Sequence, residues 1–380
     1  MVLKVNHKDL NALISEYYDK KVALFTYGAF GIGKSFVVRQ SAKDIAKEKK
    51  RKFVEWNDLS REDKINVSEN PQDYFVFIDI RLSEYDAGDL KLPNFKEESE
   101  TFEWKIPLWA KLLTKQESDG ILFFDEMNLA SPLVISSVYK IIYDRFMDEH
   151  KITDNWFIMG AGNREEDMAF THTLPAPIRD RCGEVELTAP SVDNWTDWAI
   201  ENQIDGRIVG YVNASPSSLY RVDFNDNQKF TTNRGFERLN TLIKGVTDKK
   251  KLELLSCSAI GEGIAREFLA FCKIQEKWQI EDMIKNPNKI KELGEDEIDV
   301  KYFVVSAIAE RYKDEKVDFD KILEISKVLD EIKNQELVAL MWRMCYAYNT
   351  ERFHDEFIKV GMEDLDKEDN IINKYKKYLT

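Results

Sequence analysis

Two short stretches of this chain hold residue types suited to phosphate chemistry. Gly28-Ala29-Phe30-Gly31-Ile32-Gly33-Lys34-Ser35 fits GxxxxGK[ST] at every fixed position. Its glycines let the backbone curl so that successive N–H groups face phosphate oxygens. Lys34 would reach the β- and γ-phosphates, and the Ser35 hydroxyl would ligate Mg²⁺. The second stretch is Ile121-Leu122-Phe123-Phe124-Asp125-Glu126, an apolar run that ends in two carboxylates. Ligands of open parallel sheets gather beyond the C-terminal ends of the strands. Asp125 would therefore face the Mg²⁺ held by Ser35. Glu126 is placed to orient and deprotonate a water for attack on the γ-phosphate. A chance Gly-rich turn and a solvated Asp-Glu turn are the plain alternatives, and the flanking strand and helix signals weigh against both.

These residues need a strand before the loop, a helix after it and a strand under the acids. Val22–Tyr27 is a continuous apolar run and reads as a buried strand, with a helix over Phe36–Lys50 following. Further buried strands are expected at Tyr74–Ile80, Gly120–Phe124 and Trp156–Gly160, and a weaker one around Val185–Leu187. Helical patterns such as Leu133–Tyr143 fill the gaps. Strands alternating with helices imply a five-stranded parallel sheet covered on both faces, an α/β core. After about Pro190 the periodicity is helical, in Phe236–Ile243, Leu252–Cys272, Lys301–Arg311 and Leu323–Tyr348. Gly210–Phe230 is polar and reads as a loop. The expected division is a nucleotide-binding core over residues 1–189, a helical lid over 190–290 and a C-terminal helical extension, or the rest of the lid, over 291–380.

Composition narrows the function classes. The chain has 380 residues, 43% of them hydrophobic, enough to build real cores. Its formal net charge of -14 argues against a protein that coats nucleic acid, which needs a basic face. The basic run Lys47–Lys52 reads as a solvated helix end, where cations suit the helix dipole. Cys182, Cys257, Cys272 and Cys345 form no CxxC pair and read as reduced thiols. The four histidines offer no metal cluster. There is no signal-peptide pattern and no apolar run long enough to span a membrane, so a cytoplasmic protein is expected.

A GKS loop with a strand ending in Asp-Glu resembles the AAA+ ATPases. Phe157-Ile158-Met159-Gly160-Ala161-Gly162-Asn163 looks like their sensor-1 strand, whose terminal polar residue, here Asn163, helps position the attacking water. Leu174-Pro175-Ala176-Pro177-Ile178-Arg179-Asp180-Arg181 resembles the segment ending in the arginine finger. Arg181 is the best match, with Arg179 the nearby alternative. Thr231–Leu239 resembles the start of the sensor-2 helix, where Arg234 would touch nucleotide. Within the superfamily the closest resemblance is to the MoxR-like group, through Asp79-Ile80-Arg81-Leu82-Ser83, Ala87-Gly88-Asp89-Leu90 and Ser191-Val192-Asp193-Asn194-Trp195. The long stretch Ser83–Lys115 fits the insert that marks this clade and lines the pore of its rings. Two positions depart from the group. Asn233 stands where proline often precedes the sensor-2 arginine, and Cys182 follows Arg181 where phenylalanine is common.

The arginines have plainer roles available. Arg181 could pair with Asp180 or Glu184, Arg234 with Glu237, and Asn163 could cap a helix over Arg164–Met168. A finger works because a planar guanidinium stabilises charge spreading over the transferring phosphoryl group. If it comes from a neighbouring subunit, hydrolysis depends on assembly.

The resemblance thus implies ATP and Mg²⁺ as cofactors and a homo-oligomer, a hexameric ring. It also implies a protein substrate or adaptor, one candidate being a protein with a von Willebrand A domain. A nucleic-acid motor or loader, a P-loop kinase and a non-hydrolysing nucleotide switch are the rivals. A GTPase is disfavoured because the guanine motif NKxD is missing: Asn373-Lys374-Tyr375-Lys376 lacks the acid.

Overall fold

The computed structural model describes residues 2–90, 92–96, 101–164, 174–221, 231–277, 280–294 and 297–363. The chain divides into two compact units, Met1–Ala189 and Pro190–Thr380.

The first unit is a parallel sheet between helices. In chain order its elements are β1 (Leu3–Val5), α1 (His7–Lys20), β2 (Leu24–Tyr27), α2 (Lys34–Glu48), β3 (Lys52–Glu55), α3 (Arg61–Glu69) and β4 (Tyr74–Arg81). An antiparallel hairpin, β5 (Leu92–Lys96) and β6 (Thr101–Lys105), then α4 (Leu108–Leu113), lead to β7 (Gly120–Asp125). The remainder is α5 (Pro132–Tyr143), a small hairpin β8–β9 (Phe146–Met147 and His150–Lys151), β10 (Trp156–Gly162), α6 (Ala176–Arg179) and β11 (Gly183–Leu187).

The sheet has seven strands in the order β1-β11-β2-β10-β7-β4-β3, all parallel. Five strands are expected from sequence; the two additions are the edges. Each edge strand is short and carries charge, Lys4 in β1 and Lys52 and Glu55 in β3, so neither presents a continuous apolar run. The basic run Lys47–Lys52 accordingly splits, with α2 ending at Glu48 and β3 beginning at Lys52. Lys49 donates to the buried carboxylate of Asp119 at 2.8 Å rather than standing free in solvent.

Strand alternation sorts the side chains into two faces. Val76, Ile78, Ile80, Leu122, Phe124, Trp156 and Ile158 form one core with α4 and α5. The intervening residues face the other way, where Phe77 stacks on Phe123 and Tyr18 of α1 meets Phe75 and Phe157. Tyr18 also donates to Asp119 at 2.6 Å, tying α1 to the N-terminal end of β7.

The second unit is helical: α7 (Val192–Glu201), α8 (Gly206–Ala214), α9 (Asn233–Ile243), α10 (Lys249–Ile260), α11 (Glu262–Lys277), α12 (Ile280–Lys285), α13 (Ile298–Lys313), α14 (Phe319–Glu331), α15 (Gln335–Tyr348) and α16 (Thr350–Glu363). One continuous core runs from Trp195 to Phe353, with no break near residue 290. Two of the stretches with helical periodicity, Leu252–Cys272 and Leu323–Tyr348, each span a pair of helices. Gly261, at φ 81°, separates α10 from α11, and Lys333, at φ 58°, separates α14 from α15. A left-handed residue ends a helix without disturbing its apolar period. Gly210–Ala214, expected in a loop, belongs to α8; residues 222–230 of that expected loop lie outside the described residues.

Gly120 is needed where β7 enters the sheet. A Cβ there would lie 1.9 Å from the Val76 carbonyl oxygen and 2.8 Å from the Trp156 ring. Gly120→Ala should destabilise the first unit by about 1–3 kcal/mol, measured as a lowered denaturant midpoint. An unchanged midpoint would mean that β4 and β7 are not packed as described.

Candidate functional site

The candidate site lies at the C-terminal ends of β2, β10 and β7, where the strands deliver their ligands into the loops. The loop Gly28–Gly33 leaves β2 and turns into α2. Gly31 (φ 72°) and Gly33 (φ 100°) adopt left-handed backbone that a side chain would resist. A Cβ at Gly28 would strike Ile32 at 2.8 Å and the Leu187 carbonyl oxygen at 2.9 Å. Asn6, Ser60 and Ser131 cap α1, α3 and α5 with side-chain acceptors, whereas α2 begins at Gly33 with no side-chain cap and no acid in its first turn. Its first N–H groups and its positive end are thus left for an anion.

Lys34 is buried, and its ammonium donates to Gly28 O at 2.6 Å, Ala29 O at 3.0 Å and Asn163 Oδ1 at 3.0 Å. Ser35 Oγ donates to Asp125 Oδ2 at 2.6 Å. The loop, the acidic strand and the strand ending at Asn163 therefore meet through two short hydrogen bonds, from positions 90 and 129 residues apart in the chain. The strand order explains the geometry, because β10 sits between β2 and β7 and carries Asn163 to the gap.

The adjacent acids diverge. Asp125 continues the alternation of Ile121 and Phe123 and turns toward α2. Glu126 adopts left-handed backbone (φ 51°, ψ 32°) and points elsewhere; its side chain accepts from Ser83 Oγ at 3.2 Å. Such a conformation costs a non-glycine residue about 1 kcal/mol or more and recurs at functional sites.

Two supporting residues carry no recognisable sequence signal. Asn128 donates to the Asn163 carbonyl at 2.7 Å and accepts from the Asn163 N–H at 3.0 Å, clamping the residue's backbone. A side chain at Gly162 would sit 2.4 Å from Asn128 Oδ1, so this glycine makes room for the clamp. His7, at the start of α1, donates from Nε2 to Ile32 O at 2.7 Å and so braces the loop from behind. Burial holds the His7 pKa below its ordinary value, and the Ile32 carbonyl pulls the other way. An asparagine followed by two hydrophobic residues, or a lone histidine near the N-terminus, is too common to single out from sequence alone.

Ser35 and Asp125 converge as hard oxygen donors, which suits Mg²⁺: this ion takes one or two protein oxygens and completes its shell with water and phosphate. Among the described residues there is no cluster of three or more His, Cys, Asp or Glu side chains able to hold a metal unaided.

Arg179 and Arg181 make their contacts with other groups of the first unit. Arg179 forms a two-pronged pair with Glu184, at 2.9 and 3.1 Å, which holds its guanidinium pKa above the ordinary value. Arg181 instead lies over the Tyr143 ring, 3.7 Å from its centroid, with contacts to Pro177 O at 3.2 Å and Asp180 at 3.5 Å. Arg234 is an exposed residue in the first turn of α9, in the second unit. The helix expected over Arg164–Met168 lies, from residue 165 onward, outside the described residues. No disulfide joins the four cysteines, and burial raises the Cys182 thiol to about 11. Among the described residues no helix is long and apolar enough to cross a membrane.

No family model and no curated protein matches the chain. Solved structures similar to it include a RuvB mutant from Thermotoga maritima, at 15% identity over 93% of this chain and 86% of that one, TM-score 0.28. Others are NtrX from Brucella abortus in complex with ADP, at 12% identity over 98% and 68%, TM-score 0.32, and Cdc6p from Pyrobaculum aerophilum, at 12% identity over 92% and 85%, TM-score 0.37. At these TM-scores the likenesses bear no weight.

Asp79 lies on the same face as Asp125, beside Phe123 in the register. Burial, and then the nearby Asp125, raise its pKa from 3.8 to about 6, against the pull of Arg39. A raised carboxyl pKa means that the folded protein holds the proton more tightly than the unfolded chain, so Asp79 costs stability as pH rises from about 4 to 6. Asp79→Asn should therefore gain stability relative to the parent across that window, by up to about 3 kcal/mol at pH 7, with no relative gain below pH 4. Denaturant titrations in EDTA at several pH values test this; a pH-independent difference contradicts the burial of an ionised Asp79.

Proposed function

We propose that this chain binds ATP with Mg²⁺ at Gly28–Ser35 and hydrolyses it, working as a ring-forming AAA+ ATPase of MoxR-like type that remodels or activates a protein partner. The observation that carries this reading is the convergence of Ser35 with Asp125 and of Lys34 with Asn163 at the open end of α2.

In this reading the loop N–H groups and the positive end of α2 bind the phosphates. Lys34 exchanges its loop carbonyls for the β- and γ-oxygens. Ser35 and Asp125 hold Mg²⁺, which when bound neutralises charge developing on the phosphates. Glu126 accepts a proton from the attacking water, and Asn163 orients that water, steadied by Asn128. The turned backbone of Glu126 supports a role distinct from that of Asp125, since two carboxylates aimed at one metal would leave no base. Arg181 acts as the finger in the site of a neighbouring copy: the fork of Arg179 is committed to Glu184, whereas both polar contacts of Arg181 fall on Nη1. Arg234 serves as the sensor-2 contact. The division into a core over residues 1–189, a helical lid over 190–290 and a C-terminal extension or the rest of the lid over 291–380 belongs to the same reading, as does the cytoplasmic setting; the shared core from Trp195 to Phe353 supports the rest-of-the-lid alternative.

The β5–β6 hairpin supports a protein partner. It exposes Phe95 (75%) and Phe102 (49%), paired across the hairpin with ring centroids 6.0 Å apart, and Leu92 (64%) on the other face, and exposed apolar side chains of this kind mark contact surfaces. It lies in the stretch that resembles the MoxR-like insert. The net charge of -14 disfavours a nucleic-acid track.

Glu126→Gln should bind ATP with near-parental affinity yet turn over at least about 100-fold more slowly. Lys34→Ala should lose affinity in a fluorescent-ATP titration. Parental turnover by Glu126→Gln would remove the base assignment, and parental affinity of Lys34→Ala would remove the loop assignment. Recovery of a partner protein with the ATP-loaded Glu126→Gln chain, but not with Lys34→Ala, tests the remodelling role.

A further inference from the structure

Arg181 lies between α6 and β11, and its guanidinium carbon is 3.7 Å from the centre of the Tyr143 ring. Tyr143 ends α5 and is 44% exposed. Its ring stacks at 5.5 Å and 19° on Tyr139, one helical turn earlier, so the platform is itself braced. Stacking engages the face of a guanidinium and leaves its in-plane N–H donors available. The contrast with Arg179 is chemical. An arginine in a two-pronged pair with a carboxylate has spent its fork, while Arg181 on its ring uses only Nη1, toward Pro177 O and Asp180, and keeps the Nη2 and Nε edge. The pair with Asp180 does not alter this, since Asp180 is 80% exposed and the separation is 3.5 Å.

Resting on the reading of Arg181 as a finger, we propose that Tyr143 is its positioning residue: the phenol ring holds the guanidinium plane at the surface of one copy so that its edge meets the nucleotide of the next. Tyr143 acts only through Arg181 and touches no reacting atom. Its effect belongs to the copy that donates the finger, not to the copy that hydrolyses.

That asymmetry gives the test. An Arg181→Ala chain, which keeps its own Glu126, is mixed with a Glu126→Gln chain, which keeps its Arg181, and the ATPase rate recovered by the mixture is read. Tyr143→Ala placed on the Glu126→Gln chain should cut the recovered rate about threefold, the scale of an exposed cation–π contact. The same change on the Arg181→Ala chain should leave the recovered rate intact. Tyr143→Phe on the donor chain should restore the rate, because it keeps the ring. Tyr143→Leu, which fills the space without a π face, should behave as Tyr143→Ala, and it serves if the alanine variant melts early. Equal loss from either chain, or no loss from the donor, overturns the role of the ring. A mixture that recovers no rate without any Tyr143 change overturns the finger reading, and the proposal with it.

Discussion

The hydrogen bond from Ser35 to Asp125 is the constraint on which the rest of the site depends. Its 2.6 Å length requires the first turn of α2 to lie directly over the end of β7. The packing of α2 onto the sheet meets that requirement, with Val37, Val38, Ser41, Ala42 and Ile45 buried beneath it. Phe77 and Phe123 stack on the same face, and Asp125 follows Phe123 by one full period of the strand. A slip of one residue in the β4–β7 register would turn Asp125 into the opposite core and leave Ser35 without its carboxylate. The aromatic interior is thus part of the site's geometry as well as of the fold's stability.

The second requirement is a polar group between the loop and the acid. The strand order supplies it, because β10 is hydrogen-bonded to β2 on one side and β7 on the other. Whatever ends β10 must lie between Lys34 and Asp125. Asn163 does, and Asn128 holds its backbone from the segment just past β7. The acidic strand therefore contributes an acid, a turned glutamate and the clamp of the neighbouring strand within four residues. Gly162 and Gly28 leave the space in which these parts approach, and the Gly28 N–H donates to the Gly162 carbonyl at 3.2 Å.

Much of this was legible in the sequence, and what was not has physical causes. The loop, the five central strands and the helical second half announce themselves through glycine spacing, apolar runs and period. The edge strands do not, because an edge strand is short and charged for the same reason that it resists aggregation. The breaks at Gly261 and Lys333 were hidden because each next helix resumes an apolar face. Asn128 and His7 act through contacts across 35 and 25 residues, and no local pattern reports such a contact. Nor does residue type distinguish Arg179 from Arg181. The difference lies in what each finds nearby, Glu184 on the first residues of β11 or Tyr143 at the end of α5.

The adjacent carboxylates take two different settings within one dipeptide. Asp125 is 9% exposed and accepts from Ser35, which holds its carboxylate at the first turn of α2. Glu126, one residue on, leaves the strand through a left-handed turn and meets Ser83, which follows β4. The turn separates the two side chains more widely than an extended strand end would, and the strain is offset where the Glu126 N–H donates back to Asp125 Oδ1 at 2.9 Å. Under the function proposed above, the base must stay off the metal to accept a proton. The backbone thus does by conformation what sequence distance does not.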